Sequence, residues 1–148
     1  MPASSYRLED FLPHRPPMVL IDEIVSFDKG SESLVAAVTA KREWCESWVA
    51  IEFMAQTAAA LAGIADRESG YEGPARPGFL LGSRRLELNL ERFEVGRRYL
   101  VKAACNFSDA EAASFDCSIE DGEVTVARAT LNAYRPEDVK SFMEEQRI

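Results

Sequence analysis

The chain has 148 residues, 47% of them hydrophobic and 28% charged, enough for one compact domain with a real core, and no shift in composition marks a second domain within residues 1–148. A net charge of −8 speaks against nucleic acid as the main partner, and a single histidine excludes a multi-histidine metal site, so no metal is expected. The three cysteines, Cys45, Cys105 and Cys117, are odd in number and widely spaced, and no apolar leader follows Met1, which points to reduced thiols and a cytoplasmic location.

Tyr6–Leu12 reads as a short amphipathic piece, and Pro13-His14-Arg15-Pro16-Pro17 as an extended turn because proline forbids helix there. Two β-rich segments follow, Met18–Phe27 and Ser33–Ala40, separated by the turn residues Asp28-Lys29-Gly30. From Trp48 to Ala65 runs a helix-forming stretch that is apolar on every side and belongs in a core. Arg67–Pro77, rich in Pro and Gly, reads as a loop. Period-two alternation dominates from Phe79 to Tyr134: Leu86, Leu88 and Leu90, then Phe115, Cys117 and Ile119, then Thr125, Ala127, Ala129, Leu131 and Ala133 mark apolar strand faces. Asp121-Gly122 signals a hairpin between the last two runs, and Pro136 opens a short helix with Val139, Phe142 and Met143 on one face.

The feature that asks for a chemical explanation is Glu52, a carboxylate inside the apolar helix. Gln56 lies four residues on and stacks with it, and Ala59, Ala60 and Gly63 leave room beside the pair for a partner backbone or a ligand. A buried carboxylate loses hydration, its pKa rises, and it becomes a proton donor or acceptor near neutrality. The competing readings are a buried acid satisfied by an arginine or by backbone N–H groups, and a membrane span, which Glu52 and Gln56 oppose. Basic residues cluster at Lys41-Arg42, Arg84-Arg85 and Arg97-Arg98 with Lys102; such runs receive acidic partners or simply face water. Cys105 and Cys117 read as small core residues, while Cys45 lies near the helix start, where a thiol is activated if it is anything but structural.

A curved antiparallel sheet needs an apolar element to cover its concave face, and only the helix from Trp48 qualifies. The expected fold is therefore α+β: a hot-dog arrangement, one antiparallel sheet wrapped around one long helix, with Ala127, Ala129 and Ala133 allowing close approach.

Leu12-Pro13-His14-Arg15-Pro16-Pro17-Met18-Val19-Leu20-Ile21-Asp22 resembles the opening of the 3-hydroxyacyl-(acyl carrier protein) dehydratases. Ile51-Glu52-Phe53-Met54-Ala55-Gln56 resembles the Glu-x-Met-Ala-Gln segment on their central helix, and Gly78-Phe79-Leu80-Leu81-Gly82 is similar to the strand that follows. More narrowly, the chain resembles the dehydratase-like proteins of aryl-polyene and related polyketide pathways. The resemblance implies elimination of water from a 3-hydroxyacyl thioester carried on the phosphopantetheine of an acyl carrier protein or coenzyme A, with no cofactor of the protein's own. It implies Glu52 as the acid on the helix, backbone N–H groups of the helix N-terminus at the thioester oxygen, Gln56, Gly78, Leu80 and Gly82 against the substrate, and a homodimer or a heterodimer with a related hot-dog protein. The chain departs from the pattern where the usual catalytic histidine sits in a Gly-His-Phe-Pro-Gly loop: Lys41–Trp48 has no histidine, proline or glycine. His14 is then a substitute base beside Glu52, or a structural residue while Glu52 works with water, or the site is inactive. The alternative functions are an acyl thioesterase, an acyl-binding protein and a non-catalytic partner subunit.

Overall fold

The computed structural model describes residues 6–73, 76, 78–109, 111–135 and 144; the helix expected from Pro136 lies outside the described residues except for Glu144, which is helical. The elements in chain order are α1 (Leu8–Phe11), β1 (Glu23–Asp28), β2 (Ser33–Thr39), α2 (Val49–Glu68), β3 (Phe79–Leu88), β4 (Arg98–Ser108), β5 (Ala112–Asp121) and β6 (Val124–Tyr134). The six strands form one antiparallel sheet in the order β1-β2-β4-β5-β6-β3, with β1 and β3 at its edges. This is the hot-dog architecture.

The register explains how the sheet takes in the helix. Leu34 faces Ala103, Ala103 faces Cys117 and Cys117 faces Ala129, while Ala36, Val101, Ile119 and Ala127 form the adjacent row. All eight are buried, and the small residues among them let α2 settle against β2, β4 and β5. From α2 come Val49, Ala50, Phe53, Met54, Leu61 and Ile64, each buried. At the start of α2, Phe93 closes the core, its ring edge-on to Phe53 at 5.2 Å and to Tyr99 at 5.0 Å. The helix has the length and apolarity of a membrane span, but its inner face is packed within the sheet.

Several local expectations are corrected. The first helix is only Leu8–Phe11, shorter than Tyr6–Leu12. Strand β1 starts at Glu23 rather than Met18, because Leu20 N–H and Met18 C=O pair with the side chain of Gln56 instead of with a neighbouring strand. The long helix runs on through Asp66-Arg67-Glu68, which the end of the apolar run concealed, and closes with Ser69 N–H on the Ala65 and Asp66 carbonyls. Leu86 and Leu88 do not mark a core face: they are 40% and 37% exposed on an edge strand whose register shifts between Arg84 and Glu87, with Arg85 at φ 53°. The β5–β6 hairpin forms as expected, but its two turn residues are Gly122-Glu123, one position on from Asp121-Gly122, because Asp121 still pairs with Val124; Gly122 has φ 60°. In the β1–β2 turn, Asp28 accepts from Gly30 N–H and Ser31 Oγ, and these bonds hold its carboxyl below the usual range.

Of the basic runs, Arg97-Arg98 with Lys102 is neutralised at the surface. Arg97 pairs with Asp121 and Glu94, Arg98 with Glu23, and Lys102 with Glu120. Cys117 is a core residue as expected, its thiol pushed up to about 12 by burial and then by the nearby Asp116 charge. Cys105 is only half-buried: it faces Phe115 in register and packs against the rim of the core rather than within it. Its thiol is raised by desolvation and by Glu32.

Candidate functional site

Helix α2 does not bury its whole circumference. The sheet leaves one stripe open, and along it Glu52, Ala55, Ala59 and Ala62 are half-buried. The side chain of Glu52 is 38% exposed, so the expectation of a fully buried carboxylate is corrected: the acid opens into a groove rather than into the core. That groove has a volume of about 780 Å³; its alanine floor ends at Asp66, and its walls include Phe27, Cys105, Phe115 and Leu131.

Glu52 lies in the first turn of α2, where the helix dipole favours a negative charge. Its Oε1 accepts a hydrogen bond from Gln56 Nε2 at 2.9 Å and lies 3.7 Å from His14 Nε2, while Oε2 has no hydrogen-bond partner among the described residues. The structure therefore brings Glu52 and His14 together within one chain, both lining the groove. His14 reaches this place because the segment before β1 doubles back over α2. Arg15 ties the turn by donating to the carbonyls of Leu12 at 2.7 Å and His14 at 2.8 Å, and Met18 N–H donates to Arg15 C=O at 2.9 Å. His14 Nδ1 is buried without a hydrogen-bond partner among the described residues.

The remaining residues singled out from sequence separate into two groups. Gly78 and Leu80 line the groove. Gln56 and Gly82 do not: Gln56 is 0% exposed behind Glu52, and Gly82 pairs with Asn132 on β3 outside the lining. The expectation that the start of α2 offers free N–H groups is also corrected, because those of Val49, Ala50 and Ile51 already donate to the carbonyls of Glu46, Ser47 and Trp48 at 3.0, 3.1 and 3.3 Å. Among the described residues no group of His, Cys, Asp and Glu is arranged to hold a metal ion.

Sequence reasoning missed the far end of the groove. There Asp66 accepts from Arg135 at 2.6 and 3.0 Å and from Arg76 at 2.8 Å, closing the floor with a charged cluster. No local signal could have found it, since Asp66 and Arg135 are 69 positions apart.

The solved structure of the dehydratase heterocomplex ApeI:P from Xenorhabdus doucetiae superposes with a TM-score of 0.85 at 23% identity, covering 96% of this chain and 99% of that one. An HP0420 homologue from Helicobacter felis matches at TM-score 0.65 and 12% identity over 88% of each chain. A hypothetical thioesterase with coenzyme A from Streptococcus pneumoniae TIGR4 matches at 0.57 and 12%, over 77% of this chain and 84% of that one. These likenesses carry the hot-dog fold. No curated protein matches the chain. The family model of the ApeP dehydratases aligns with residues 6–144, which takes in both His14 and Glu52, and the chain belongs to that ApeP-like dehydratase family.

Proposed function

We propose that the protein removes water from 3-hydroxyacyl thioesters, with His14 and Glu52 as the reacting pair. The observation that carries this reading is the 3.7 Å approach of His14 Nε2 to Glu52 Oε1 at the mouth of a groove of about 780 Å³ floored by alanines. In the proposed reaction His14 Nε2 takes the proton from the carbon next to the thioester carbonyl. The C–H electron pair becomes the new C=C bond, the C–O bond at the 3-position breaks, and Glu52 delivers a proton to the departing hydroxyl, which leaves as water. The proton gained by His14 then returns to Glu52 across the short gap between them, restoring the pair. A poor leaving group and a weak carbon acid both need help, and the site offers one group for each. The alanine stripe leaves space for the acyl chain, and the phosphopantetheine arm that presents it belongs to the carrier, an acyl carrier protein.

Assembly with a related hot-dog protein is part of the same reading. Its support is the likeness to the ApeI:P heterocomplex, together with the exposed Leu80, Leu81, Leu86 and Leu88 on the edge strand β3. Incubation with 3-hydroxyacyl carrier proteins of several chain types, followed by intact mass measurement, tests the activity: loss of one water is expected, and unchanged mass on every substrate, alone and with a related hot-dog subunit, overturns it.

A further inference from the structure

Gln56 is fully buried in α2, directly behind Glu52. Both of its N–H donors are in use, one on Met18 C=O at 2.7 Å and one on Glu52 Oε1 at 2.9 Å, and its carbonyl oxygen accepts from Leu20 N–H at 2.9 Å. The carbonyl of one residue and the N–H of the residue two further on point the same way in an extended chain, and a primary amide matches that pair as a neighbouring strand would. The side chain therefore stands in for a strand, and it holds the segment that leaves His14 through Arg15 and the two prolines. The same amide fixes the carboxylate oxygen nearest to His14. One residue thus sets both partners of the reacting pair.

We infer that Gln56 is the positioning residue of the site: it locks Glu52 Oε1 in place, turns Oε2 toward the substrate, and anchors the turn that carries His14 over the helix. It makes no contact with substrate, because it is 0% exposed and has no donor left to offer. The inference rests on the His14–Glu52 reading for its kinetic consequence, but not for its structural one.

Two substitutions separate the roles. Gln56→Glu keeps shape and the acceptor for Leu20 N–H, loses both donations and sets a second carboxyl group against Glu52; Gln56→Met keeps length and removes every hydrogen bond. For both variants, measured per folded molecule, kcat is expected to fall about 100-fold with KM nearly unchanged, the effect of a misplaced reacting group. A rise in KM with kcat preserved would make Gln56 a substrate contact and overturn the inference. Because His14 is the only histidine, its imidazole gives a single assignable NMR signal in untagged protein, and that signal should shift in both variants whether or not the protein turns over. An unmoved His14 signal sinks the anchoring role even if dehydration is never detected. In unsubstituted protein, which needs no variant to fold, the Gln56 side-chain N–H and Leu20 N–H protons should exchange slowly with solvent and stay in place when a 3-hydroxyacyl pantetheine is added; fast exchange overturns the inference as well.

Discussion

Replacing Gly63 with alanine should destabilise the protein, against the ordinary helix rule. In the middle of a helix this exchange favours folding by about 1 kcal/mol. Here an added Cβ would sit 2.5 Å from the carbonyl oxygen of Phe11 and 3.1 Å from its Cα. Ordinary contact begins near 3.4 Å, so α1 must retreat by roughly 0.9 Å, and the obstacle is backbone rather than the end of a flexible side chain. Phe11 and Leu12 are 4% and 0% exposed, and Phe11 is held by the Tyr6 ring at 5.7 Å and the Arg67 guanidinium at 4.9 Å, so the retreat disturbs packed core. Overpacking of this kind costs about 1–3 kcal/mol and outweighs the helix gain, leaving a net loss of about 1 kcal/mol. For a chain of this size that lowers Tm by about 2–4 °C. His14 follows Phe11 by three residues, so the same variant should lose about tenfold or more in dehydration rate as the pair is pulled apart. Thermal and urea unfolding with single-turnover assays measure both effects, and Gly82→Ala serves as control because its Cβ meets nothing within 4 Å and the residue lies outside the groove. A Gly63→Ala protein that melts higher than the parent and reacts at full rate would refute the reasoning.

Glu52→Gln should fold normally and abolish dehydration, and His14→Ala should slow it by about 100- to 10,000-fold with little change in Tm; a large drop in Tm with activity kept per folded molecule would make His14 a structural tie instead. Because both groups come from one chain, co-expressed His14→Ala and Glu52→Gln chains should give no recovered activity, and recovery in the mixed assembly would place the pair across two protomers. Burial of Cys117 gives a pH dependence of definite sign. Its thiol titrates at about 12 when folded against 9.0 for the free group, so the unfolded chain loses its proton first and stability falls as pH rises from 9 toward 12. By pH 10 the parent should have lost about 1.4 kcal/mol more than Cys117→Ala, measured by urea unfolding; equal losses would mean that the thiol is not desolvated.

The wrapped helix was legible because no other segment is apolar on all sides, and β5 and β6 because small or apolar residues recur at every second position over Phe115–Ile119 and again over Ala127–Ala133. The pairing of Glu52 with Gln56 followed from helical spacing, and Gly63 did leave room for a backbone, that of Phe11. What local patterns could not carry was contact between distant segments. Nothing near Met18 says that its carbonyl is bonded to a side chain 38 residues away, so the segment read as strand. Likewise the alternation of Leu86 and Leu88 has the same appearance at a sheet edge as over a core. Phe93, flanked by polar residues, gave no sign that it seals the base of α2.

The alanine floor of the groove is also a ruler. Helix geometry places Ala55, Ala59 and Ala62 at about 4.5, 10.5 and 15 Å along the axis from Glu52, and Asp66 at about 21 Å. With the acyl chain lying along this floor, as the proposed reaction has it, a bulky residue at any one of these positions is expected to set a stop at a known distance from the reacting carbon. A leucine at position 62 would shorten the longest accepted chain by several carbons, and one at position 55 would exclude all but the shortest. In the proposed reaction, acyl selectivity is thereby expected to follow side-chain volume at single positions along one helix, adjustable in steps without touching the chemistry.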